Sequence, residues 1–360
     1  IPVMILEGKM KKRYILATKS QTFPKGKALQ KVNVDEASFL RVSYPPSYLS
    51  LLANLIAKRK LSVVDRLGII SDAFALSESG QLATIEVLTL VQSYKGERDY
   101  AIWVEIASSF RQITNLFAFE TFYSSYEAFC QRLLSSVAKH VGWKKQANER
   151  HTQTLLRTLT LYNFGSFGDK ETIVRAKEEF TRLQKGEAID PDLRSVVYNL
   201  VAENGGEEEY EVLTARYKKE ELQQEKERIG RALASFKSPQ LLKKTLDFSL
   251  SSDVRSQAVN GIITAVWGNP YGRDLAWEFV KENWTVLRER FGGGHLLSRL
   301  LAGASDFTTR GKAADIEAFF RKHKTPEATR TITQVIEQIY ANEARFSKDR
   351  EALRVFLKKV

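Results

Sequence analysis

Asp65 and Asp72 stand seven residues apart in the stretch Leu61-Ser-Val-Val-Asp-Arg-Leu-Gly-Ile-Ile-Ser-Asp-Ala-Phe-Ala-Leu-Ser-Glu-Ser-Gly80. On a helix that spacing sets both carboxylates on nearly the same side. Two carboxylates so placed could act as a general acid and base, with Arg66 beside them and Arg41 upstream to bias their ionisation. Such a pair needs a metal, a nucleophile or a phosphate loop to work on. A zinc hydrolase uses His-Glu-x-x-His and a downstream ligand, and none of His140, His151, His295 and His323 is followed by Glu or paired four residues on. Gly26-Lys27 and Gly311-Lys312 lack the earlier glycine and the hydroxyl of a phosphate loop, and no Gly-x-Ser-x-Gly elbow occurs. Cys130 is the single cysteine; its neighbourhood offers no base, so it reads as a packed apolar thiol. Catalytic residues and metal ligands are therefore expected to be absent. Arg41, Asp65, Arg66 and Asp72 read instead as an ion-pair network between a strand end and the first long helix, with direct contact to a substrate as the rival reading.

The elements that must hold this network change character at Pro45-Pro46. Before it, Val3–Leu6, Tyr14–Leu16, Lys31–Val34 and Phe39–Tyr44 read as four short strands, broken by Gly8 and by Phe23-Pro-Lys-Gly26. After it the apolar period is helical. Ser62 with Asp65 three residues on has the form of a capping box, Gly80 ends the run, and Val63, Leu67, Ile70 and Phe74 mark its buried face. Phe122, Tyr126, Phe129, Leu133 and Val137 form a further stripe, as do Leu242, Leu246 and Leu250, then Trp277, Phe279, Val280, Trp284 and Leu287, then Ile332, Val335, Ile336 and Ile339. Breakers recur at Gly165/Gly168, Gly186 with Pro191, Gly205-Gly206, Ser238-Pro239, Ser251–Asp253, Asn269-Pro270, Gly292–Gly294 and Thr325-Pro326. Helices joined by short loops without a strict period predict a mainly α fold, an irregular HEAT-like solenoid or bowl behind a small antiparallel β remnant. The expected units are residues 1–44 and 45–360. Arg299, beside Leu296, Leu297 and Leu300, is expected to be partly buried and is the candidate for receiving a peptide C-terminus.

Charge narrows the partners. The formal net charge is +12, yet residues 1–60 hold 12 Lys and Arg against 3 Asp and Glu, leaving only +3 for the other 300 residues. Lys9, Lys11, Lys12, Arg13, Lys25 and Lys27 cluster on the β segment, where lysines guard strand edges; a stripe of cations along the helices, as nucleic acid requires, is missing. No apolar run is long enough to span a bilayer. The lone thiol fits a reducing compartment, so a cytoplasmic location is the expectation. The chain starts at Ile1, which reads as a piece of a longer protein whose targeting signal would lie upstream.

Ser38-Phe-Leu-Arg-Val-Ser-Tyr44 and Leu61–Gly80 resemble the pattern Gly-Phe-Tyr-Arg-Val-x-Tyr followed by Leu-x-x-x-Asp-Arg-Leu-x-Leu-x-x-Asp-x-Phe-Ala-Leu of gluzincin zinc aminopeptidases, in their C-terminal part. Asn269-Pro-Tyr-Gly-Arg-Asp-Leu-Ala-Trp-Glu-Phe-Val-Lys-Glu-Asn-Trp284 and Gly293-Gly-His-Leu-Leu-Ser-Arg-Leu-Leu301 resemble late helices of the same family, and the puromycin-sensitive branch is the most similar. Ser38 and Leu40 depart from the pattern's Gly and Tyr. The resemblance implies the end of a β-sandwich followed by a helical domain that arches over a thermolysin-like catalytic domain. It implies no cofactor in this chain, zinc in that separate catalytic domain, and as partners the catalytic domain and peptide substrates. The domain would cap the active-site chamber, help select and enclose peptides, and be inactive alone. The alternative is a stand-alone helical scaffold binding a protein or nucleic acid on its concave face.

Overall fold

The computed structural model describes residues 1–22, 29–292 and 295–360. The expected Phe23–Gly26 turn, Lys25, Lys27 and glycines 293 and 294 lie outside the described residues. Three strands, β1 (Pro2–Glu7), β2 (Met10–Ile15) and β3 (Leu29–Val32), form an antiparallel sheet in the order β2-β1-β3. Gly8, at φ 60°, supplies the left-handed residue of the tight β1–β2 turn. Val3, Ile5 and Glu7 alternate onto the covered face, while β2 is exposed along nearly its whole length. Lys11 and Lys12 of β2 pair with Asp35 and Glu7.

Phe39–Tyr44, expected as a fourth strand, is not one. Its alternation survives, with Leu40, Val42 and Tyr44 half-buried and Phe39, Arg41 and Ser43 exposed. What differs is where its polar groups go. The Val42 N–H donates to Asp72 at 3.1 Å, and the Tyr44 hydroxyl receives the Val32 N–H at 3.0 Å. Periodicity registers a half-buried extended segment, and it cannot tell a strand partner from a carboxylate.

Seventeen α-helices follow among the described residues: α1 (Pro46–Ala57), α2 (Val63–Glu78), α3 (Thr84–Val91), α4 (Tyr100–Phe117), α5 (Tyr123–Val141), α6 (His151–Ser166), α7 (Lys170–Gln184), α8 (Arg194–Glu203), α9 (Glu207–Lys219), α10 (Gln223–Leu233), α11 (Pro239–Ser249), α12 (Ser256–Trp267), α13 (Arg273–Glu282), α14 (Trp284–Phe291), α15 (His295–Ala302), α16 (Arg310–Lys322) and α17 (Thr329–Leu357). Asp99, Asp169, Ser238 and Thr309 cap α4, α7, α11 and α16 by accepting a backbone N–H of the first turn. The fold is mainly α with a small β remnant. Alternate helices form one continuous row: α2 packs on α4, α4 on α6, and so on through α8, α10, α12 and α15. The 29-residue α17 then touches α15 and α16 at one end and α3, α4 and α5 at the other. The row therefore returns to its own beginning.

Two large apolar cores stabilise the array. One joins α1–α5 with the end of α17 through Leu353 and Leu357; the other joins α7–α16 with the start of α17 through Val335 and Ile339. A small third cluster joins Leu161 of α6, Ala176 of α7, Leu193 of the turn before α8, and Val196 and Leu200 of α8. Gly165 does not break α6, contrary to its reading as a punctuation residue. It sits inside the helix because a Cβ there would come within 2.5 Å of Leu200 Cδ1 and 3.1 Å of Thr172 Cγ2. Gly165→Ala is expected to cost about 1–3 kcal/mol by overpacking, measured as a lower urea midpoint with an unchanged slope.

Candidate functional site

The sequence places its polar candidates at the start of α2, and the chain folds there in an uncommon way. Asn33, Asp35 and Glu36 all adopt left-handed backbone conformations, at φ 57°, 58° and 52°, a strained choice for residues other than glycine. Lys31 holds this turn from inside. It is 1% exposed, and its ammonium donates to Asn33 O at 2.7 Å, to Val32 O at 3.2 Å and to Glu36 at 2.6 Å, with Asp65 at 3.3 Å. Asp65 also accepts the Asp35 N–H at 2.8 Å. Ser62 caps α2 through the Asp65 N–H, but the Asp65 carboxylate does not reach back to the Ser62 N–H as a full capping box would; it accepts the Ser62 hydroxyl at 2.8 Å. A shorter side chain than Glu leaves that carboxylate for the turn.

Seven residues on, Asp72 accepts from Arg41 Nη1 at 3.0 Å as well as from Val42 N–H. Arg66 belongs to a different contact: its Nε meets Glu97 at 2.7 Å and its Nη1 meets Leu61 O at 2.7 Å, within the helical layer. The four residues thus form two ties from α2 to the 31–42 segment and one internal tie. The buried face of α2 runs through Ile69, Ile70, Ala73 and Phe74, while Val63 is exposed. Arg299 is exposed and pairs with no described residue, because Leu297, Leu300 and Leu301 carry the buried face of α15. Lys31 escaped sequence reading, since a lysine in a strand of alternating polarity carries no mark of burial.

A second polar constellation appears only in three dimensions. Where α4, α5, α6, α8, α10 and α12 converge, they enclose a cavity of about 400 Å³. Arg111, Glu127, Tyr162, Glu203, Arg231 and Lys237 line it. A larger and more open groove of about 740 Å³ lies between α7, α9 and the 220–222 turn that follows it. Tyr162 donates to Glu203 at 2.8 Å. Desolvation pushes the Glu203 carboxyl above the usual carboxylate range against the pull of Tyr162, Ser166, Lys237 and Arg111, and pushes Glu127 up against Lys237. The lining mixes both charges with amides and hydroxyls. It can receive a polar, hydrogen-bonding segment such as an extended peptide; among the described residues nothing there is arranged as a nucleophile with its base. Its members recur roughly once per helix pair, a period too irregular to be seen without the packing.

α6 reaches the cavity because its opposite end is anchored. Arg157, 2% exposed, donates Nε to Gly142 O at 3.1 Å and to Val141 O at 3.3 Å, closing the end of α5, and pairs through Nη2 with Glu149. Arg157 beside Leu156 and four residues before Leu161 was a readable signal, a cation in an apolar stripe. The Arg157 guanidinium holds the Glu149 carboxyl down to about 2. A carboxylate lowered in the folded state adds stability above its unfolded value, and that stability is lost as pH falls from about 4.5 toward 2. Glu149→Gln is expected to lose stability at pH 7 and to flatten the decline of Tm between pH 5 and 3, read by thermal scans.

Among the described residues no three His, Cys, Asp or Glu side chains converge to hold a metal, and no helix is long and apolar enough to cross a membrane. The class that the structure defines is a mainly helical array behind a small sheet, with a polar cavity where its helices converge. Residues 29–341 match the family model for the ERAP1-like C-terminal domain, and the chain belongs to that family. It is 32% identical over 322 residues to aminopeptidase M1 of Arabidopsis thaliana, covering 87% of this chain and 36% of that protein. Glutamyl aminopeptidase of Bitis rhinoceros is 30% identical over 81% of the chain and 31% of its own length. Aminopeptidase 2 of Candida albicans is 27% identical over 95% and 38%. The chain spans about a third of the length of these relatives.

Proposed function

We propose that this chain is the non-catalytic C-terminal region of a zinc aminopeptidase, closest to the puromycin-sensitive branch and cytoplasmic, with residues 1–44 ending a β-sandwich unit and 45–360 forming the helical unit. Its role is to cap the chamber of a separate catalytic domain and to hold peptides whose N-terminal residues are removed there. In this reading zinc would belong to that catalytic domain. Here the protein contributes enclosure and contact, which exclude water and favour committed substrates. The observation that carries the reading is the polar cavity at the convergence of six helices in a chain whose relatives are aminopeptidases. Arg41, Asp65 and Asp72 fasten the helical unit to the segment through which it would join the rest of the enzyme. Arg299, exposed, keeps a role at a peptide's far end as a secondary proposal.

Lys11 and Lys12, part of the basic cluster behind the scaffold alternative, are spent on Asp35 and Glu7. The test is direct. The purified chain is expected to bind a labelled nonapeptide and to lose about tenfold in affinity with Arg231→Ala plus Lys237→Ala, two exposed cavity cations. It is expected to leave an aminoacyl-coumarin intact. Unchanged peptide affinity in the double variant, or hydrolysis by the purified chain, contradicts the reading.

A further inference from the structure

Every fully buried acid among the described residues is ion-paired, from Asp65 with Lys31 at 3.3 Å and Glu97 with Arg66 at 2.7 Å to Glu225 with Arg228 at 2.8 Å. The polar cavity departs from that habit. It is lined by three cations, Arg111, Arg231 and Lys237, and by two half-buried acids, Glu127 and Glu203, yet none of these makes an ion pair among the described residues. Glu203 takes its hydrogen bond from the Tyr162 hydroxyl instead. The three cations also make no side-chain hydrogen bond there, and all are exposed. Charges that a concave site keeps apart stay available to whatever enters it.

The surplus is positive. Arg111 lies on α4, Arg231 near the end of α10 and Lys237 in the turn after it, while α6 and α8, which carry Tyr162 and Glu203, stand between α4 and α10 in the row of helices. Burial pushes the Glu127 and Glu203 carboxyls toward their neutral form, whereas a guanidinium stays charged. A neutral polar peptide would be served by the amides and hydroxyls of Asn115, Asn163, Ser166 and Asn199 alone. Three unpaired cations call for an anion, and a carboxylate accepts from guanidinium and ammonium alike.

We propose that the cavity selects peptides that carry an acidic side chain beyond their N-terminal residues, with Arg231 and Lys237 receiving the carboxylate and Arg111 adding to the positive field. This names the substrate class of the cavity and rests on its assignment to a peptide. The two are separable, because selectivity is read as a ratio between peptides that both bind.

The test uses the full chain and labelled nonapeptides, amidated at the C-terminus, that differ only in Glu or Gln at one of positions 4 to 8. In low salt at least one position is expected to favour Glu by about tenfold in affinity. That advantage should shrink to about threefold or less near 0.5 M salt, as screening sets in. Arg231→Ala plus Lys237→Ala should bring the ratio within about twofold, and Arg231→Glu plus Lys237→Glu should favour Gln over Glu. Both side chains are exposed, so the urea midpoint is expected to hold; Arg111→Gln, on another helix, is the second variant and should lower the ratio about threefold. Equal affinity for the Glu and Gln peptides at every position overturns the proposal and leaves the peptide reading standing. A preference that needs a free C-terminal carboxylate, or a ratio unmoved by all the variants, overturns it as well. Failure of every peptide to bind overturns both.

Discussion

Lys31→Met is expected to destabilise the protein by about 3–5 kcal/mol, the cost of removing one partner from a buried charge cluster. The methionine would fill the stem's volume, so the loss is electrostatic and conformational. Asp65 would keep its carboxylate 3% exposed without the buried ammonium at 3.3 Å, and Glu36 would lose its 2.6 Å partner. The left-handed run at Asn33, Asp35 and Glu36 would lose the ammonium that bonds Asn33 O, releasing strain of order 1–3 kcal/mol per residue into alternative conformations. Urea unfolding reads the effect. Asp65→Asn in the Lys31→Met background should restore part of the loss, since it removes the stranded charge, and the cycle then reports coupling between the two. Lys9→Met on the exposed turn is the control and should stay within about 0.5 kcal/mol.

Arg157→Leu is the second large effect, about 3–5 kcal/mol. It strands Glu149, whose side chain is 3% exposed, and leaves Val141 O and Gly142 O at the end of α5 without their donor. Because α6 carries Tyr162 and Ser166 to the cavity, the same change should weaken peptide binding, but only in proportion to the unfolded fraction if Arg157 acts on stability alone. Repeating the binding measurement well below the melting temperature separates the two. At pH 3 the difference between Arg157→Leu and the unchanged protein should shrink, because protonation of Glu149 removes the charge that the substitution strands.

These residues show what a sequence discloses. The helical class, the α5 stripe from Phe122 to Val137 and the Trp277–Leu287 stripe were legible because burial imposes a period. The ties of Asp65 and Asp72 to the N-terminal segment were approachable because carboxylates on one helix face need partners. Lys31 was illegible, since nothing local distinguishes a buried lysine from the edge lysines of β2. The Phe39–Tyr44 segment misled because an extended chain bonded to a helix alternates like a strand. Arg299 was expected to be partly buried with its stripe, but on an eight-residue helix one face suffices, and Leu297, Leu300 and Leu301 supply it. The cavity needed the packing of alternate helices, a relation between residues roughly forty apart that no short window contains.

The central claim is that this helical region holds the peptide while another domain performs the cleavage. It is tested most directly in the full-length enzyme to which we assign the chain, by kcat/KM for a nonapeptide divided by kcat/KM for an aminoacyl-coumarin. With Arg231→Ala plus Lys237→Ala the account predicts that this ratio falls about tenfold, roughly 1.4 kcal/mol, while the coumarin value stays within twofold. An unchanged ratio, or a parallel fall of both substrates, would contradict it.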